Sequence, residues 1–199
     1  MIGLPSGTDL LNAIAPRHGG DVTRGVAYGP EPRHLLDIYR PARHPGPLPV
    51  IVFFHGGAWQ YGSRTEYRFV GPALARLGLV VAIPDYRLYP AVHYPDFLRD
   101  AARATAWIAR EIDGYGGDSR AIFVAGHSAG AYLALMLALA PTWLAEAGHD
   151  RASLAGAIGL AGPYDFLPLT DPVHKAIFAP EPDLASTQPI AHADGAAPP

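Results

Sequence analysis

The chain contains no cysteine, which excludes disulfides and thiolate metal sites. No basic tract occurs, and 15 Lys and Arg against 18 Asp and Glu give a net charge of −3, so nucleic acid is not an expected partner. The first 20 residues lack a basic segment followed by an apolar one, so no secretory signal is read there. The longest apolar segment, residues 129–140, is too short to cross a bilayer, and a cytoplasmic protein without membrane contact is expected. No internal repeat is present. What remains is a 199-residue chain, 49% hydrophobic and 17% charged, with enough apolar residues for one substantial core.

Residues 1–20 show little pattern and are read as a surface arm; residues 21–199 form one domain. Residues 21–28 and 34–39 read as a strand pair around the turn Gly29-Pro30-Glu31-Pro32, followed by a Pro-rich connector at 41–49. VIVFF at 50–54 and LVVAI at 79–83 are continuous apolar runs, as in strands covered on both faces. A helix is expected over 64–77, disturbed at Pro72 and stopped at Gly78. Asp96 is read as the cap of a longer helix whose buried stripe is Leu98, Ala101, Thr105, Ile108 and Ile112. Residues 154–160 give one more strand, and 166–199 carry no strong period. Strands alternating with helices imply a mainly parallel, doubly wound α/β sheet with an N-terminal antiparallel hairpin, and sites beyond the carboxyl ends of its strands.

The organising stretch is AIFVAGHSAGAYLALMLAL at 121–139. A buried strand runs into Gly126-His127-Ser128-Ala129-Gly130 and then a helix, the context of a nucleophile elbow. Ser128 is the predicted nucleophile. Gly126 and Gly130 are read as positions where a side chain would collide with the neighbouring helix or strand. His127, at a variable position, is read as a packing or hydrogen-bonding residue that points away from Ser128. The amide of Ala129 is one expected oxyanion donor, and the loop His55-Gly56-Gly57-Ala58-Trp59 supplies others, with Gly57 and Ala58 preferred. His55 and Gly56 support that loop. Trp59 either lines the acyl pocket or is an ordinary core residue. Asp85 is read as structural, bonding amides in its own turn.

HGGAW after one strand, DYRLYP after the next, GGDSRAIFVAGHSAG and GPYDF together resemble the α/β-hydrolase superfamily. Within it they are similar to the hormone-sensitive-lipase-like carboxylesterases and the related arylformamidases (kynurenine formamidases), over roughly residues 20–199. The resemblance implies Ser128 as nucleophile, Gly57, Ala58 and Ala129 as the oxyanion hole, and hydrolysis of small-molecule carboxylic esters or aryl formamides with no metal or organic cofactor.

In the family the triad runs Ser, acid, His along the chain. This sequence reaches Ala196-Ala197-Pro198-Pro199 where the acid-bearing strand is expected, so the reading is a domain incomplete at its C-terminus. The last two strands, their helices and both standard triad positions are then missing. Asp165, His174 and His192 are the low-ranked substitutes for acid and base; their bland reading is a turn residue and two surface histidines. The strand at 154–160 would be an exposed apolar edge, open to self-association. Four outcomes stay open: an ester hydrolase of doubtful competence, a formamidase using the same site, a non-catalytic binding protein, and an inactive fragment.

Overall fold

Two apolar strands built from β-branched and aromatic residues set the centre of the sheet. They are β3 (Leu48–Phe54) and β4 (Val80–Pro84). A computed structural model describes residues 7–15 and 20–199. Flanking the two are β1 (Asp21–Ala27) and β2 (Leu35–Arg40) on one side, with β5 (Gly117–His127) and β6 (Leu154–Leu160) on the other. The order across the sheet is β1-β2-β4-β3-β5-β6. β3, β4, β5 and β6 run parallel, whereas β1 and β2 form the expected antiparallel hairpin at one edge.

The alternation of side chains along β3 divides the core. Val50, Val52 and Phe54 face one layer, and Ile51 and Phe53 face the other. The first layer is covered by α3 (Asp96–Glu111), α4 (Ala129–Leu139) and the short α5 (Pro141–Glu146), and the second by α2 (Val70–Ala75). Leu98, Ala101, Thr105, Ile108 and Ile112 are all fully buried, so the stripe read from their spacing is the packed face of α3 and of the 3-10 turn after it.

Four local features depart from the sequence reading. Asp96 does not cap α3: the cap position is Pro95, and the Asp96 carboxylate accepts from Arg99 at 3.2 Å. The helix expected over 64–77 is a series of turns followed by the short α2. Starting at Val70 puts Pro72 in the first turn, where its missing N–H has no intrahelical role. The N-terminal arm contains α1 (Gly7–Ile14), tied down by Asn12, which accepts from the Phe69 amide at 3.0 Å and donates to the Glu66 carbonyl at 2.8 Å. The rest of that arm, residues 1–6 and 16–19, lies outside the described residues.

The fourth departure is the segment after residue 166, which is ordered around α6 (Pro172–Phe178). Asp171 caps α6 by accepting from the Val173 and His174 amides, and Pro172 occupies the first helical position. Ile177 and Phe178 are fully buried, and the Tyr132 hydroxyl of α4 donates to the Thr187 carbonyl at 2.9 Å. At the β6 edge the Ala157 amide donates to the Pro199 carbonyl at 2.8 Å, while Ile158 and Leu160 remain 46% and 50% exposed. Among the described residues no helix is long and apolar enough to cross a membrane, and no cluster of His, Asp and Glu forms a metal site.

Candidate active site

β5 ends at His127 and α4 begins at Ala129, leaving Ser128 alone to reverse the chain. Its φ of 53° and ψ of −120° lie in a region costly for a residue with a side chain. Two backbone bonds hold it there: the Ser128 amide donates to the Leu160 carbonyl at 2.8 Å, and the Ser128 carbonyl accepts from Tyr132 at 3.1 Å. The flanking glycines are steric requirements. A Cβ on Gly126 would lie 2.2 Å from the Gly130 backbone, and one on Gly130 would lie 2.0 Å from the Phe54 carbonyl oxygen. The Ala129 amide opens α4, where first-turn donors have no intrahelical acceptor.

The loop after β3 reaches the same place. Gly57, Ala58 and Trp59 have φ of 128°, 49° and 60°, and the turn is closed by the Gln60 and Tyr61 amides, each donating to the Gly57 carbonyl at 2.9 Å. A Cβ on Gly57 would meet the Tyr61 carbonyl oxygen at 2.1 Å. The Gly57 and Ala58 amides meet no acceptor among the described residues. Gly56 packs against Tyr67 and His127, where an added Cβ would approach the Tyr67 hydroxyl at 2.8 Å. His127 accepts or donates through Nδ1 with that hydroxyl at 2.8 Å.

A cavity of about 480 Å³ joins these parts, with Ala58, Trp59, Ser128, Ala129, Phe166 and His174 in its wall. Trp59 is 3% exposed, packed edge-on against Tyr132 and Phe178 at 5.2 Å, and still forms part of the cavity wall. His174 of α6 stands edge-on to Trp59 at 5.7 Å and is the one titratable side chain in that wall among the described residues. The other substitutes do not arrive. His192 is engaged through Nε2 with the Ser186 carbonyl at 2.7 Å, and Asp165 is exposed with no polar partner among the described residues.

His55 braces the loop after β3. It is fully buried, its Nδ1 bonds the Gly56 carbonyl at 2.8 Å, and its ring stacks on Tyr86 at 4.3 Å. The Tyr86 hydroxyl donates to the His55 carbonyl at 2.8 Å. Asp85 is structural, but the amide it accepts from is that of Arg64, at 2.6 Å, and not one in its own turn. The Arg64 guanidinium bridges Asp85 and Asp37, and the Asp85 carboxylate comes within 3.7 Å of His55 Nε2. Nothing in the local sequence pattern marks Arg64, because its partners lie 21 and 27 residues away.

Burial holds the His55 pKa down to about 4, with the Gly56 bond and the Asp85 charge opposing that shift. An unfolded imidazole titrates near 6.5, so between these values the unfolded chain binds the extra proton. The stabilisation is therefore complete above pH 6.5 and is lost as the pH falls toward 4. Urea unfolding should show wild-type stability dropping by on the order of 3 kcal/mol more than that of His55→Gln between pH 7 and pH 4. Parallel curves for the two proteins would contradict this account.

The comparisons with known proteins agree with this geometry. The BD-FAE family matches residues 36–197. A probable isoprenylcysteine alpha-carbonyl methylesterase of Oryza sativa subsp. japonica is 38% identical over 160 residues, covering 77% of this chain and 37% of the relative. Kynurenine formamidase of Danio rerio is 28% identical over 166 residues, covering 83% of this chain and 53% of the relative. The chain thus spans between about a third and a half of the length of these curated relatives. Thermogutta terrifontis esterase 2, solved after reaction with tabun, superposes with a TM-score of 0.74 at 26% identity, covering 94% of this chain and 71% of that one. The strand order, the elbow and the family match lead to one assignment: the chain belongs to the BD-FAE family, in the hormone-sensitive-lipase-like branch of the α/β hydrolases.

Proposed function

We propose that the protein hydrolyses small-molecule carboxylic esters through an acyl-enzyme on Ser128. The observation that carries this is the strained Ser128 at the start of α4, sharing one cavity with Ala58 and Ala129. Ser128 Oγ attacks the carbonyl carbon, and the negative charge that develops on the oxygen is met by the amides of Gly57, Ala58 and Ala129. The alcohol leaves with a proton, and water then releases the acid and restores the serine. We assign His174 as the imidazole that takes the Ser128 proton, a reading supported by its position in the wall of the Ser128 cavity, in which His192 takes no part. Among the described residues no carboxylate bonds the His174 ring, since Asp171 accepts only from its backbone amide, and slow turnover is expected. An oxyanion hole and substrate binding alone leave about 10³-fold acceleration over water, so weak hydrolysis by itself does not identify a base.

The test is labelling by an alkyl fluorophosphonate, with the adduct located by peptide mass mapping. Ser128 should be the modified residue, Ser128→Ala should abolish the adduct, and His174→Gln should slow labelling by tenfold or more. A protein that binds ester analogues but never forms the adduct would be a non-catalytic binding module. The likeness to a kynurenine formamidase supports a second reading in which the same site cleaves an aryl formamide. Faster turnover of a formylated aniline than of an aryl acetate would favour it.

A further inference from the structure

The outward face of α3 holds an arrangement of charge separate from the Ser128 site. Arg99, Arg103, Ala106 and Arg110 are spaced i, i+4, i+7 and i+11, so they form one stripe along the helix. The stripe borders a cavity of about 250 Å³ between α3 and α5, whose other wall is Trp143, Glu146 and Ala147. Ala106 and Ala147 are too small to fill the space that the longer side chains enclose. Three arginines against one glutamate leave this wall with a net charge of +2 (3 − 1). Arg99 is already engaged, with Asp96 at 3.2 Å and Glu146 at 3.6 Å. Arg103 and Arg110 have no ion pair or hydrogen bond among the described residues. The helix dipole accounts for Arg110 in the last turn, but not for Arg103 in mid-helix, one turn from the like charge of Arg99. On the facing wall the Nε1–H of Trp143 is buried and has no acceptor among the described residues.

We infer that the cavity between α3 and α5 is a binding site for small organic phosphates. Arg103 and Arg110 are the charge partners of the phosphate, and Trp143 is the wall for the organic part. The two unpaired arginines match the two charges of a phosphate monoester, and guanidinium groups take phosphate oxygens through paired N–H donors. A carboxylate would neutralise only one of the two. A phosphate alone fills part of about 250 Å³, and the remainder beside the indole takes a small ring. An anion that draws the indole toward it also gives the Trp143 N–H its missing acceptor. None of these residues lines the Ser128 cavity, so the inference stands apart from the esterase reading.

The experiment is isothermal titration calorimetry of the full chain with phenyl phosphate, at a pH well above the second phosphate pKa of about 6. Benzenesulfonate, similar in shape but singly charged, is the comparison ligand. Phenyl phosphate should bind about tenfold more tightly than benzenesulfonate. Arg103→Gln and Arg110→Gln should each weaken phenyl phosphate by about tenfold, since each removes a charge-assisted bond. Glu146→Gln should tighten it by about threefold, because the negative charge in the wall is gone. Arg24→Gln, at an exposed position of β1, is the control for net charge and should leave the affinity unchanged. Unfolding midpoints confirm that each variant keeps the fold. Equal affinity for the two ligands would overturn the inference, and so would phenyl phosphate binding that survives both arginine substitutions. Sedimentation with phosphatidylcholine vesicles containing phosphatidic acid separates a soluble ligand from a lipid headgroup. Capture by those vesicles without any binding of phenyl phosphate would overturn the assignment to small organic phosphates.

Discussion

Replacing Arg64 by methionine should lower the unfolding free energy by about 3–5 kcal/mol, as measured by urea denaturation. The guanidinium is bonded to Asp37 at 3.0 Å through Nε and to Asp85 through Nη1, and the two aspartates are only 2% and 4% exposed. Methionine keeps most of the stem and removes the charge, leaving two carboxylates in a largely apolar setting. Arg33 offers Asp85 a contact at 3.8 Å, too long and too exposed to replace the bridge. Asp85→Asn on the Arg64→Met background should recover part of the loss, because one of the stranded charges is gone. A cost below 1 kcal/mol would show that water reaches these carboxylates and that the cluster contributes little. Asp85 also lies 3.7 Å from His55 Nε2, so fluorophosphonate labelling of Arg64→Met should slow even in protein that remains folded.

Gly130→Ala is the second large effect, on the order of 3 kcal/mol or more. The added methyl would sit 2.0 Å from the Phe54 carbonyl oxygen and 2.5 Å from that of His55, both backbone atoms at the end of β3. Backbone cannot swing aside as the tip of a long side chain can, so α4 must move away from the sheet and take Ser128 and the Ala129 amide with it. Loss of labelling and loss of stability should therefore appear together. Gly114→Ala is the control: it has open space around its Cα and an ordinary φ. Its stability should change by less than about 1 kcal/mol, in the stabilising direction if the restricted unfolded chain dominates.

Much of this architecture could be read from the residues, because it depends on local periodicity. The buried runs at 50–54 and 79–83 and the stripe from Leu98 to Ile112 state which faces are covered. The elbow was legible for a different reason: glycines four apart around a serine, between strand and helix, specify a backbone reversal with no room for side chains. Features made by long-range pairing left no comparable trace. Arg64 is one arginine among many until the fold sets it between Asp37 and Asp85. Helix α1 is eight residues long and buries no side chain, its apolar Leu10, Leu11 and Ile14 all staying exposed. α6 is a different case, since Asp171-Pro172 is a cap followed by a first-position proline and was readable. At the site, His174 reaches the Ser128 cavity because α6 folds back over Trp59, a placement that chain order alone does not specify.

The bond from the Ser128 amide to the Leu160 carbonyl couples Ser128 to the outermost strand of the sheet. Edge strands open more readily than central ones, and amide exchange reports that opening residue by residue. Ser128 should thus exchange its amide proton on the timescale of β6 and not on that of the deeply buried Val50 and Val52 two strands inward. The fraction of molecules holding a correctly bent elbow is then set by how firmly Leu154–Leu160 stays paired to β5. Whatever covers or clamps that strand would raise the share of molecules that hold Ser128 at its cavity, without touching the cavity itself.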